Sequence, residues 1–97
     1  MLQITQRRQE GTLIAVYTGE LDHHAARAAI EQTEDLLVLF PCEKLVLDLS
    51  ELTFMDSSGI AVVMRVRQRM RDLGGAVTLF GFLLQRTAVL AAPWDNT

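Results

Sequence analysis

Residues 54–63 read FMDSSGIAVV, and the reading of this stretch decides the fold. Asp56, Ser57, Ser58 and Gly59 interrupt two apolar runs. The interior of a buried strand or helix does not normally carry Asp-Ser-Ser-Gly. A helix N-terminus does, because an Asp or Ser oxygen accepts from the backbone N–H groups that the first turn leaves free. The tetrapeptide therefore marks a boundary, with a strand and its connection before it and a helix after it. Beyond it, Ile60, Val63, Met64, Val66, Met70 and Leu73 form an approximate apolar stripe, so a helix is predicted from about Ser57 to Leu73. Gly74-Gly75 is its stop signal.

Working outward, Lys44–Leu49 (KLVLDL) reads as a strand. Ser50–Met55 reads as a short connection whose Leu52 and Phe54 pack inward. Ala76–Phe80 (AVTLF) is a further strand after the helix. Towards the N-terminus, Leu2–Arg8 alternates as an edge strand, Glu10-Gly11 is a turn, and Thr12–Thr18 (TLIAVYT) is a second, antiparallel strand ended by Gly19. Asp22 is a candidate N-cap for a helix reaching about Leu39, which Pro41 stops. Phe82–Ala92 has the composition of a third helix, with Pro93 ending it. The order β-β-α-β-α-β-α predicts an α/β fold: a mixed sheet of four or more strands with helices packed on it and right-handed crossovers.

Bulk properties bound the function. The chain has 97 residues, about half of them hydrophobic, and a formal net charge of -3. That length predicts one domain over residues 1–97, and the acidic balance argues against nucleic acid as the main partner. A single cysteine, Cys42, permits no internal disulfide and points to a reducing, cytoplasmic setting. The N-terminal residues lack the basic-then-apolar order of a signal peptide. No apolar run reaches the roughly 18 residues of a membrane helix, so no membrane role is expected.

Asp-Ser-Ser-Gly has two readings. The plain one is an ordinary helix start. The functional one is a phosphorylation switch, since free N–H donors and the positive end of the macrodipole favour an anion on a serine there. A phosphate adds nearly two negative charges and three acceptor oxygens. Asp56 beside it would repel the phosphate, so modification would change the surface sharply. Such a device suits a binding switch better than an enzyme.

LTFMDSSGIAVVMRVRQRMRDLGG resembles the signature of STAS domains, the anti-sigma factor antagonists of bacteria. The strand-end LVLDLSELTFMDSSG, the Gly-Gly closing the following helix, and GELDHHAA (Gly19–Ala26) all match in order; the last resembles the sporulation branch of that family. The match covers residues 1 to about 81. The resemblance implies that Ser58 is the phosphoacceptor and that Asp56 helps to hold the loop and the partner contact. Ser57 would cap the helix, Gly59 would keep the approach to the acceptor open, and Asp22 would lie close to the phosphosite. It also implies the partners: an anti-sigma factor with serine kinase activity, which binds ATP itself, and a phosphoserine phosphatase. The unphosphorylated chain would bind the anti-sigma factor and release its sigma factor. No cofactor is implied, and the chain would be a substrate of that chemistry, not a catalyst.

The C-terminal stretch GFLLQRTAVLAAPWDNT departs from the family pattern, which continues with a helix, a final strand and often a last helix. A truncated or frame-shifted reading, a trimmed chain, or an oligomer in which another chain covers the gap are the alternatives. The last favours a second function class: a STAS scaffold subunit of a transporter or stress-signalling complex, without phospho-regulation.

Other features carry less. His23 and His24 are adjacent, so on a helix they diverge by about 100° and share a metal poorly. Arg65, Arg67, Arg69 and Arg71 read either as a solvated helix face or as steering towards an acidic partner, with Arg65 and Arg69 as candidate contacts. Asp48, read as a strand end, suggests a two-component receiver. The acidic pair that a receiver needs after its first strand is missing, which excludes that reading. No Gly-rich phosphate loop or Gly-x-Ser-x-Gly elbow occurs.

Overall fold

The computed structural model describes residues 1–81; the third helix expected over Phe82–Ala92 lies outside them. The elements are β1 (Gln3–Gln9), β2 (Thr12–Leu21), α1 (His23–Leu39), β3 (Lys44–Met55), α2 (Ser57–Asp72) and β4 (Ala76–Phe80). They build a four-stranded sheet in the order β1-β2-β3-β4, with β1 antiparallel to β2 and the other neighbours parallel. This is the mixed sheet that the sequence predicts.

Glu10 and Gly11 join β1 to β2 as a two-residue turn with φ of 51° and 82°. Two successive positive φ values match the right-handed twist of a hairpin, and Gly at the second position adopts them without cost. Leu13, Ala15 and Tyr17 of β2 and Leu45, Leu47 and Leu49 of β3 alternate onto one buried face. Ala29, Thr33 and Leu37 of α1 and Val62, Val63, Val66 and Met70 of α2 close over them as one core. Tyr17 and Thr33 bring the two hydroxyls of this core together in a hydrogen bond, so neither is orphaned. Burial pushes the Tyr17 phenol up to about 12, against a smaller opposing effect of the Thr33 bond.

Three local expectations are corrected. Gly19 does not end β2; the strand passes through it at φ 105° and runs to Leu21. Ser50–Met55 is not a connection, and Asp48 is not a strand end, because β3 continues to Met55. It does so through two irregularities, where Val16 and Thr18 face Asp48 and Glu51, and Gly19 and Glu20 face Leu52 and Phe54. Each extra residue in β3 reverses which side chains point inward. Leu52 is therefore buried, whereas Phe54 is 46% exposed instead of packing inward. Asp48 Oδ1 holds the first irregularity, accepting from the Ser50 N–H at 3.0 Å and the Ser50 hydroxyl at 2.6 Å.

On α2 the buried side is Gly59, Val62, Val63, Val66 and Met70. Met64 and Leu73, assigned to the stripe by sequence, are both more than half exposed, because the buried face runs one residue away from Met64. The helix ends in a Schellman motif: Gly74 N–H donates to Arg71 O at 2.9 Å and Gly75 N–H to Met70 O at 2.8 Å.

Candidate functional site

β2 and β3 run parallel and finish in register, Leu21 opposite Met55. Each is followed directly by an aspartate and then a helix. Asp22 and Asp56 adopt nearly the same extended backbone, with φ of -105° in both and ψ of -175° and -169°. Asp22 Oδ1 accepts from Ala25 N–H at 3.0 Å, and Asp56 Oδ1 from Ser58 N–H at 2.8 Å. The Asp56 N–H donates to Leu21 O at 3.4 Å, tying the two segments together. Two capped helix N-termini thus lie side by side at the carboxyl ends of parallel strands, where α/β folds place their ligand sites.

The local sequence explains this geometry. A residue with extended backbone and a short carboxylate satisfies the first free donors of a helix and lets a strand turn into one without a linker. The cap of α2 is Asp56, not Ser57 as the resemblance implied: Ser57 is the first helical residue and points to solvent. Backbone decides between them: Asp56 is extended, and the helix begins at Ser57. Ser58 is half-buried in the first turn.

Gly59 packs against the strand ends. It is buried, and a Cβ there would overlap Met55 Cγ, lie 2.7 Å from Met55 Sδ and approach Leu21 Cγ at 3.2 Å. Its absent side chain lets α2 settle on the strand ends and towards the core. Leu21 and Met55 are thus site residues that sequence reasoning missed. The adjacent register of β2 and β3 is the only feature that would have shown them.

The rim is acidic and partly apolar. Glu20 and Asp22 line a cleft of about 470 Å³ with His24, Ala25, Ala28 and Gln32. The His23 and His24 rings lie against one another, centroids 4.0 Å apart. No group of three potential metal ligands forms among the described residues. Thr53 Oγ1 donates to Gly19 O at 3.1 Å, fastening the strand ends below the site. Phe54 and Met64 are exposed, at 46% and 54%, on the segments either side of the serines. Sequence patterning had assigned both to the core.

Arg65 and Arg69 are not brought to the serines. They lie seven and eleven residues along α2 from Ser58, about 10 and 16 Å at 1.5 Å per residue. Arg65 Nε faces Glu34 Oε2 of α1 at 4.0 Å, and Arg69 lines a groove at the far end of the helix.

With this geometry in place, known proteins give the context. Residues 3–83 match the STAS domain family. An anti-sigma F factor antagonist from Paenibacillus polymyxa is 36% identical over 78 residues, which are 80% of this chain and 67% of that one. The structure of the anti-sigma factor antagonist SpoIIAA in its unphosphorylated form has a TM-score of 0.73 at 22% identity, covering 94% of this chain and 82% of that one. An anti-sigma factor antagonist from Mycobacterium paratuberculosis has a TM-score of 0.78 at 20% identity, covering 99% and 82%. At those identities the solved structures speak for the fold. Among the described residues no helix is long and apolar enough to cross a membrane. The family match spans both capped helix starts and all four strands, and the chain belongs to the STAS domain family.

Proposed function

We propose that this chain is an anti-sigma factor antagonist whose binding surface is switched by phosphorylation of Ser58. The single observation that carries the reading is the setting of Ser58. It is half-buried in the first turn of α2, and its N–H is held by Asp56 beside a second capped helix start.

The chemistry follows from that setting. The helix N-terminus offers donors and a positive partial charge to a phosphate, so the fold tolerates the modification. The nearest carboxylates, Asp56 and Asp22, oppose it, and a phosphate dianion competes with Asp56 for the Ser58 N–H. The added charge thus disturbs the cap and the outer rim while the core below stays packed. The unphosphorylated face, with exposed Phe54 and Met64 beside the polar turn, binds an anti-sigma factor and displaces its sigma factor. That partner carries the serine kinase activity and the ATP, and a phosphatase resets the switch. The curated relative from Paenibacillus polymyxa, named for the same antagonist role, supports this reading. The chain supplies the acceptor and no catalytic group, and it works in the cytoplasm.

The test is intact mass after incubation with a candidate anti-sigma kinase and ATP, with fragmentation to locate the site. One phosphate on Ser58, absent from Ser58→Ala, is the expected result. A folded chain that takes none would move the function to a STAS scaffold subunit without phospho-regulation.

A further inference from the structure

At the pole opposite Ser58, the C-terminal ends of α1 and α2 leave a groove of about 250 Å³ between them. Leu37, Val38, Met70 and Leu73 supply its apolar walls, Cys42 lines it as well, and Arg69 is the one charged residue in its lining among the described residues. Val38 and Leu73 of its lining are 70% and 53% exposed, so two large apolar side chains stand open at this end of the helix pair. An apolar groove with exposed walls and a charge at its edge marks an interaction surface. The groove is smaller than the roughly 300 Å³ at which drug-sized ligands begin to be held, and its size suits one or two aliphatic side chains.

Arg69 selects the occupant. Arg65, one turn earlier, faces Glu34 at 4.0 Å, whereas Arg69 has no hydrogen-bond or ion-pair partner among the described residues. Arg71, in the same last turn of α2, already offsets the partial negative charge of the helix end, so the macrodipole alone does not require Arg69 over an apolar groove. A guanidinium beside aliphatic walls is complementary to a carboxylate flanked by apolar side chains. We infer that this groove is a second docking site, which takes an amphipathic helical segment of another protein with two apolar anchors a turn apart and an Asp or Glu beside them. It lies about 16 Å along α2 from Ser58, so it holds its partner in either state of the switch.

The full chain is immobilised and a displayed library of helical peptides is selected on it. The enriched peptides are expected to share large apolar residues three or four apart with a neighbouring carboxylate. Their affinity should fall at least about tenfold on Arg69→Glu and on Leu73→Asp, and stay unchanged on Ser58→Asp. Arg69 and Leu73 are exposed, so both variants keep the fold. On the unsubstituted chain, bound peptide should also slow alkylation of Cys42, the single cysteine, which reports occupancy without any variant. The inference is overturned if no peptide is enriched, or if the peptides lack a carboxylate and tolerate Arg69→Glu. Loss of binding in Ser58→Asp, or no protection of Cys42, would also overturn it. So would a concentration-dependent dimer that Leu73→Asp abolishes, since the occupant would then be a second copy. Failure of Ser58 phosphorylation would leave every one of these readouts intact.

Discussion

Asp56 holds the Ser58 N–H, and in the proposed switch a phosphate on Ser58 would compete for that same donor. Replacing the cap, Asp56→Ala, frees the Ser58 N–H and should cost about 1 kcal/mol in chemical denaturation. Ser58→Asp places a smaller charge at the same point and should weaken binding to the anti-sigma kinase at least about tenfold by calorimetry, while Ser58→Ala binds normally. Equal affinity of Ser58→Asp and the unsubstituted chain would sink the charge mechanism. Gly59→Ala should destabilise by about 1–3 kcal/mol, because Met55 and Leu21 occupy the space of its Cβ. The serine, the aspartate and the glycine were all legible in the sequence. The division of labour among them was not, since Ser57 and Asp56 are equally good caps on composition and only backbone geometry separates them.

At the scale of elements, β3 is the informative strand. Its two irregularities carry the chain from the core out to the site, and Asp48 stabilises the first by holding Ser50. Asp48→Ala should leave Lys44–Leu47 paired but raise amide hydrogen exchange from Ser50 to Met55, at a stability cost of about 1 kcal/mol. Unchanged exchange there would mean that β2 pairing alone sets the shape. The sequence showed KLVLDL as a strand because its alternation is clean. It concealed the continuation to Met55, because each inserted residue breaks the period on which such a reading depends. Phe54 went to the wrong side for that reason. On α2 the helix and both its ends were legible, but a stripe at 3.6-residue spacing has a neighbour of almost equal merit, and contact with the strands chose the one through Val62.

For the molecule as a whole, Tyr17 and Thr33 link β2 to α1 through a polar contact in the core. Tyr17→Phe would orphan the Thr33 hydroxyl and should cost about 1–3 kcal/mol, much of it recovered in Tyr17→Phe with Thr33→Val. The same pair sets an alkaline limit. The folded phenol titrates at about 12 and an unfolded one at 10.0, so the folded state holds its proton where the unfolded state has lost it. Stability from this source is complete below pH 10 and is lost as pH rises from 10 towards about 12, by about 2–3 kcal/mol in all. Denaturation across that range should be steeper for the unsubstituted chain than for Tyr17→Phe; parallel curves would place Tyr17 in water.

By itself, the sequence determined the α/β class, the order of the first six elements, the hairpin at Glu10-Gly11 and the Asp-Ser-Ser-Gly helix start. Each rests on local chemistry: residue period, turn dihedrals and capping oxygens act over a few neighbouring positions. Tertiary structure alone decided that Leu21 and Met55 end side by side, that Asp22 and Asp56 therefore cap neighbouring helices, and that Gly59 faces the core. It also separated Arg65 and Arg69 from the serines and opened the groove between the helix ends. Those outcomes depend on strand register and on which faces of two helices meet, and both are settled by contacts between residues far apart in the chain.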